Sequence, residues 1–596
     1  MRLLTGTASV LVTMMLLLSG CDNGHKDTGG TQLDVRVDVA DIIADYSTVD
    51  GVEEVEVAEP DLTNQANLFP NNPIKDDWQT FTVTLQHIDN PEGKLSGPYA
   101  NVFNCLNEDG GWMREYDIPL FGMVKAQLCN LKKTIEPDEQ GSYLGVEVPE
   151  DLLDPNDSFA ELMMFYHVNF IHDYYKDVQG FDGMDFPLEA YVNLMGYIEM
   201  ENPLPDFPTG WVTFDNAMFM PGEGFVELEE MAEEILAEYL DIEDDLALPF
   251  ENDAILFMQG ESLDFAYDAD VIYHEYTHAV VGGDRLFGTA VDEYGTDASP
   301  TAINEAYADY FACSVLGDPI ESEYALAMLS GDASRDLSEF KSCPQDYYGE
   351  EHIDGRIYSS ALWAIREALG KEDADTIIFN ALLTFSKLTA FEEAALATIA
   401  EAALMDPPQD KVVEELFAER GLLGCNHRVR EYEDKDAGTY PHFVPGIYST
   451  GVPGFADGAP SFLQYRFEIG DVAKSIRLEI NAEPGGDMSF LSMFFGGPSS
   501  VDLSVAIKRG EEPITYHYDP EFSHTIEALI KLEKLEGDTY AAVIEGDCLT
   551  AGTYVFQFWN HGSDTALVRT MTMTASNQAM LETPTFSCDP VPEDLK

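Results

Sequence analysis

His274, Glu275 and His278, in the run Val271-Ile272-Tyr273-His274-Glu275-Tyr276-Thr277-His278, are the residues of this chain best placed to do chemistry. Residues four apart on an α-helix lie on one face, one turn from each other. His274 and His278 can therefore aim two imidazole nitrogens at one point, with Glu275 beside them. A catalytic zinc takes three protein ligands and keeps one position open for water. Glu305, in Asn304-Glu305-Ala306-Tyr307-Ala308-Asp309, can supply the third ligand from a second helix. Asp309 falls one turn beyond Glu305, where a carboxylate can take the spare N–H of a ligand histidine and fix its tautomer. The spacing predicts a zinc hydrolase. The plainer alternative, a chance His-Glu-x-x-His on a polar helix face, leaves the second motif unexplained.

His274 to Val280, followed by Ala302-Ile303-Asn304-Glu305-Ala306, closely resembles the thermolysin-like zinc metalloendopeptidases. Phe165-Tyr166-His167-Val168-Asn169-Phe170-Ile171-His172-Asp173-Tyr174-Tyr175 is similar to the related fungalysins. The resemblance runs in pieces from roughly residue 75 to 430. It implies a zinc-dependent endopeptidase acting on proteins or peptides, with Glu275 as the general base. Two oxyanion donors are implied as well. His352, in Glu351-His352-Ile353-Asp354-Gly355-Arg356 ahead of a helix, matches the family's second-sphere histidine; the alternative is an ordinary loop histidine. Tyr294, between the zinc helices, stands where the family's tyrosine donor does, in a longer loop.

Asn216 and Ala217 resemble the family's Asn-Ala pair on an edge strand, where an extended peptide adds one strand to the sheet. Arg335, in Arg335-Asp336-Leu337-Ser338, resembles the arginine that supports the substrate carbonyl. An ion pair with Asp336 or Glu339 is the alternative. His172 reads as structural packing, because the zinc site is complete without it. Calcium (Ca2+) enters beside zinc (Zn2+) only through the resemblance. Asp270 matches a position near the family's calcium cluster, yet Leu316 stands where a partner carboxylate is expected, and no EF-hand-like spacing occurs.

These residues need elements to hold them. Residues 76–149 are expected to be β-rich, opening with a strand at Thr80–Leu85, and too short for a full inhibitory propeptide of the usual kind. Residues 150–280 should form the first catalytic lobe, a mixed sheet running into the zinc helix. Residues 281–432 read as a helical lobe, with apolar residues at helical spacing over 302–316, 357–369, 376–388 and 391–404. Gly317 and Gly370 fall where helix C-caps belong. Phe225 to Leu240 predicts an acidic amphipathic helix, an insertion on the family pattern read as a surface elaboration; a roof over the cleft is the alternative. Residues 438–596 alternate, with Ile476, Leu478 and Ile480 on one face and Val501, Leu503, Val505 and Ile507 on another. The expected fold class is multidomain α+β: a thermolysin-like two-lobe unit plus a C-terminal antiparallel β-sandwich.

Composition bounds the partners. The 596 residues include 110 Asp and Glu against 31 Lys and Arg, a formal net charge of −79. Such a surface repels nucleic acid and anionic headgroups, and favours a monomer in solution. Arg2 and the apolar run Val10–Leu18 read as a signal segment over residues 1–20, too short to span a bilayer. Leu18-Ser19-Gly20-Cys21 resembles a bacterial lipobox, which implies lipid on Cys21 and a place in the cell envelope. Acidic residues 21–75 then read as a solvated tether. Eight cysteines suit an oxidising compartment. With Cys21 set aside, the expected pairs are Cys105–Cys129, Cys343–Cys425 and Cys548–Cys588, with Cys313 a buried free thiol. A second functional reading, a surface binding or adhesion lipoprotein on a peptidase scaffold without proteolysis, rests on the acidic insertion and the appended sandwich.

Overall fold

The computed structural model describes residues 63–576 except 90–91, 109, 119–121, 203–208, 214, 241–245, 289, 326–334, 426–427, 433–440, 447–457, 471–472, 485–500, 518–522, 546–548 and 563–564. The expected signal segment, Cys21, Cys548 and Cys588 lie outside the described residues. Strands β1 (Gln65–Leu68) and β2 (Phe81–Thr84) pair antiparallel at the start. Residues 63–75, expected to finish the tether, are thus ordered. Ala66, Leu68 and Phe69 are buried in the core and hold this stretch in place.

Two sheets follow, from β3 (Ala100–Leu106), β4 (Met113–Ile118), β5 (Gly122–Leu128), β6 (Asn130–Lys132), helix α1 (Phe159–Asp173), β7 (Leu188–Leu194), β8 (Gly196–Met200), β9 (Gly210–Val212), β10 (Ala217–Met220), α2 (Gly222–Leu240) and β11 (Ala254–Met258). One sheet has five strands in the order β10-β11-β7-β3-β6, with β11, β7 and β3 parallel and β10 an antiparallel edge. The other has four, β4-β5-β8-β9. All of β11, Ala-Ile-Leu-Phe-Met, is buried, as a strand covered on both faces must be. Ile255 and Phe257 join the main core, while Leu256 and Met258 pack with Phe225 and Phe250 in a second one. The apolar face of α2 therefore covers the sheet.

The helical part comprises α3 (Ala269–Val281), the hairpin β12 (Ala290–Asp292) and β13 (Gly295–Asp297), α4 (Ser299–Leu316), the short pair β14 (Ile320–Glu321) and β15 (Arg335–Asp336), α5 (Glu351–Leu369), α6 (Lys371–Leu382), α7 (Phe391–Ala402) and α8 (Asp410–Glu419). Gly317, left-handed at φ +78°, ends α4 and returns its N–H to Cys313 O. The helix expected over 376–388 starts instead at Lys371, directly after Gly370 closes α5. Its first residues, Lys-Glu-Asp-Ala-Asp, are mostly polar and hide the start from apolar periodicity.

Strands β16 (Val429–Glu431), β17 (His442–Val444), β18 (Ala459–Ile469), β19 (Ser475–Pro484), β20 (Leu503–Arg509), β21 (Tyr516–His517), β22 (Ser523–His524), β23 (Ala528–Lys531), β24 (Glu533–Lys534), β25 (Thr539–Glu545), β26 (Gly552–Asn560) and β27 (Ala566–Ser576) complete the chain. They build two five-stranded sheets, β16-β18-β26-β20-β23 and β17-β27-β19-β25-β24. All neighbours within them are antiparallel except β16 with β18. Leu478 and Ile480 sit opposite Met573 and Met571, all buried. The sandwich begins at β16, before the expected boundary at 438, because three residues are too few to show alternation. One continuous core runs through both halves, from Ala66 to Met573. Cys105–Cys129 and Cys343–Cys425 are joined and Cys313 is buried and free, as expected. Among the described residues no helix is long and apolar enough to cross a membrane.

Candidate metal centre

The zinc-motif helix α3 is set by Asp268, whose carboxylate accepts the N–H of Asp270 and also that of Ala325 across the fold. Helix α4 starts where Asp297 accepts the Ser299 N–H, with Pro300 in the first turn. Helix α5 lies against α4 with almost no gap. A Cβ on Gly355 would stand 2.9 Å from Ala302 O and 3.1 Å from the Glu305 Cβ. The absence of a side chain at that one position lets the start of α5 approach Glu305.

Three side chains converge between these helices. His274 Nε2 and His278 Nε2 are 3.0 Å apart. The Glu305 carboxylate lies 3.2 Å from His274 Nε2 and 3.5 Å from His278 Nε2. Two imidazole nitrogens and a carboxylate facing one point are a donor set that a divalent cation satisfies, so these residues fit zinc. Glu275 follows His274 on α3 and is buried with it.

Each histidine has its other nitrogen occupied. His274 Nδ1 is 3.1 Å from Asp309 Oδ1, and His278 Nδ1 is 2.9 Å from Asn304 Oδ1. Both Nε2 atoms are thereby the ones turned to the cation point. Asp309 is wholly buried and holds Arg335 Nη1 at 2.5 Å; Arg335 Nε reaches Glu321 at 3.5 Å. Burial alone would raise the Asp309 pKa, but Arg335 and His274 hold it below the ordinary carboxylate range. Burial penalises the His274 cation, yet the Asp309 and Glu305 carboxylates beside it lift its pKa well above the usual value. Burial likewise opposes the Glu305 anion, and the facing charges of His352, His278 and His274 overcome it. The centre is built to favour positive charge. His274, Asp309 and Glu321 also lie close together, but the cation among those two carboxylates is the Arg335 guanidinium.

The structure brings His352 to this group. It is the second residue of α5, inside the helix rather than ahead of it, with Nε2 3.6 Å from Glu305 Oε2. Glu350 caps α5 and takes His352 Nδ1 at 2.7 Å. Burial pulls the His352 pKa down, but Glu305 and Glu350 carry it up to about 10. Asn216 immediately precedes β10, its carbonyl accepting the Met258 N–H at 3.1 Å; Ala217 opens that edge strand, which packs beside α3.

Arg335 pairs with Asp309 and Glu321 rather than with Asp336 or Glu339, which sets it beside the carboxylate that faces His274. Tyr294 lies at the β12–β13 turn beside Glu293 and Asp292; burial first, then the charges of Glu293, Asp292 and Glu512, push its pKa up to about 12. The long loop that carries it is committed to the sandwich. His172 is packed as expected, between Asp173 and Asp185 and stacked on Tyr99 at 3.6 Å.

The calcium position is also filled differently. Lys75 Nζ lies 3.6 Å from Asp270, 2.9 Å from Glu323 and 3.6 Å from Asp318. Asn72 Nδ2 adds contacts to Asp268, Asp270 and Glu323 at 3.3–3.5 Å. An ammonium stands where a calcium ion would be needed, and the residues do not fit both. Asn304, Glu321, Glu350 and Lys75 were not singled out in the sequence. Asn304 adjoins Glu305 and Glu350 lies two residues before His352, which are the only signals they carry.

No family model matches this chain, and no curated protein matches it. Among solved structures, one described as a novel family GH115 4-O-methyl-alpha-glucuronidase with specificity for decorated arabinogalactans shares 9% identity. That match covers 45% of this chain and 41% of the other at a TM-score of 0.12, so it carries nothing about fold or activity.

Proposed function

We propose that this protein is a zinc metalloendopeptidase of thermolysin-like two-lobe design, held outside the cytoplasm by lipid on Cys21. The observation that carries the reading is the convergence of His274, His278 and Glu305, each histidine with its second nitrogen already engaged. The mixed sheet with β10 on its edge and the helices α3 to α5 beside it support the two-lobe reading.

A zinc ion held there would polarise the scissile carbonyl and lower the pKa of a bound water. Glu275, next to His274 on α3, would be the general base toward water and the proton donor to the leaving amine. His352, held by Glu350 and 3.6 Å from Glu305, would offer its Nε2–H as the oxyanion donor. The edge of β10 pairs an extended peptide as an added strand, with Asn216 at its start. Casein hydrolysis by the full chain, stopped by a zinc chelator and restored by added zinc, is the expected result. Undiminished hydrolysis in chelator, or a folded zinc-loaded protein that cleaves nothing, would overturn the reading; the second result would favour the binding lipoprotein.

A further inference from the structure

We propose that the C-terminal sandwich is a working part of the active site: it grips residues 344–349, the strap that aims Glu350 and His352 at Glu305. This rests on the peptidase reading above.

Three sandwich contacts fall on that short strap. Arg430, in β16, turns its guanidinium to three carbonyls of the strap: Nη2 lies 2.9 Å from Pro344 O, 2.5 Å from Gln345 O and 3.0 Å from Tyr347 O, and Nε lies 3.1 Å from Pro344 O. Phe443, in β17, donates its N–H to Tyr348 O at 2.7 Å. Phe462, in β18, lies against Gly349, where a Cβ would meet its ring at 2.4 Å and φ is +86°. The strap then runs straight into the site. Tyr348 and Gly349 donate their N–H groups to Asp354 at 2.6 and 2.8 Å, and Glu350 caps α5 while holding His352 Nδ1. At the strap's other end, the Cys343–Cys425 disulfide joins it to the segment leading into β16.

The same region of the sandwich also grips the β12–β13 hairpin that precedes the Glu305 helix. Arg428 pairs with Asp297 at 2.5 Å and donates to Thr296 O at 3.1 Å, and Tyr516 donates its N–H to Glu293 O at 2.7 Å. Asp297 is the residue that starts α4. Both the His352 strap and the entry to the Glu305 helix are therefore braced from one side. A guanidinium satisfied by three backbone carbonyls fixes chain position more than it fixes charge. Arg430 is thus a positioning residue, acting on the reaction only through the strap.

The test uses the full chain with Arg430→Met, which keeps most of the stem and loses the fork. Arg430→Lys is the conservative companion, and Arg477→Met, on the far strand β19, is the control. Hydrogen exchange over residues 344–352, zinc content, kcat and KM on a peptide substrate are read together. Faster exchange in the strap and a kcat lowered roughly ten- to a hundredfold, with KM and zinc content unchanged, is the expected result. Arg430→Lys should recover part of kcat. A loosened strap with wild-type kcat, or unchanged exchange at 344–352, overturns the proposal. If Arg430→Met does not fold, Phe462→Ala removes the ring on Gly349 without touching a buried charge and is read the same way. A wild-type protein that cleaves nothing overturns the peptidase reading and this proposal together, before any substitution is made.

Discussion

Asp309 and Asn304 face the two Nδ1 atoms, and in the zinc reading they would leave each Nε2 for the cation. Removing such an outer partner typically weakens metal binding by about 10–100-fold. Asp309→Asn keeps the shape of the side chain but not the charge set against His274 and Arg335. A drop of that size in competition with a chromophoric zinc chelator is expected; unchanged affinity would remove Asp309 from the site. Asp264 makes a separate prediction about pH. It accepts the Ala266 N–H, and burial, then the nearby Asp157 charge, push its carboxyl from 3.8 up to about 8. A folded pKa above the unfolded one means the native state holds the proton more tightly. The stability it contributes is full below about pH 4 and is lost as pH rises through about 8. Asp264→Asn is neutral throughout, so its Tm should gain on wild type between those limits. Parallel Tm curves would contradict this.

At the scale of elements, the ordered arm around β1 and β2 is bolted to α3 by Lys75, which a divalent ion would otherwise have to do. Lys75 is largely buried among Asp270, Glu323 and Asp318. Removing one partner of a buried ionic cluster costs about 3–5 kcal/mol. Lys75→Met should lose that much in urea unfolding, and wild-type Tm should not move with added calcium. A calcium-dependent Tm in wild type would show that the ammonium does not fill the site. The helices of the site were legible from their ends and periodicity: His274 and His278 four apart, Glu305 and Asp309 one turn apart, Gly317 at a C-cap. The contacts between elements were not. Lys75 meets Asp270 from far away in the sequence, and nothing local to Asn72 or Lys75 marks them as part of an acidic cluster.

For the whole molecule, the two halves share one core, and Arg428 and Arg430, just before and within β16, reach back to the helical part. Alternation made the sandwich's later strands readable, whereas the three-residue β16 left its true start, and hence its seam, invisible. A chain with a net charge of −79 also makes general repulsion a poor guide to where chemistry sits. The site was found instead by donor type and spacing. The most direct measurement compares full-chain wild type with Glu275→Ala for casein hydrolysis and zinc content. Zinc retained and rate lowered by roughly two to four orders of magnitude is the predicted result, because the variant loses the general base and keeps every metal ligand. Equal hydrolysis by the two zinc-loaded proteins would contradict the peptidase mechanism at its centre.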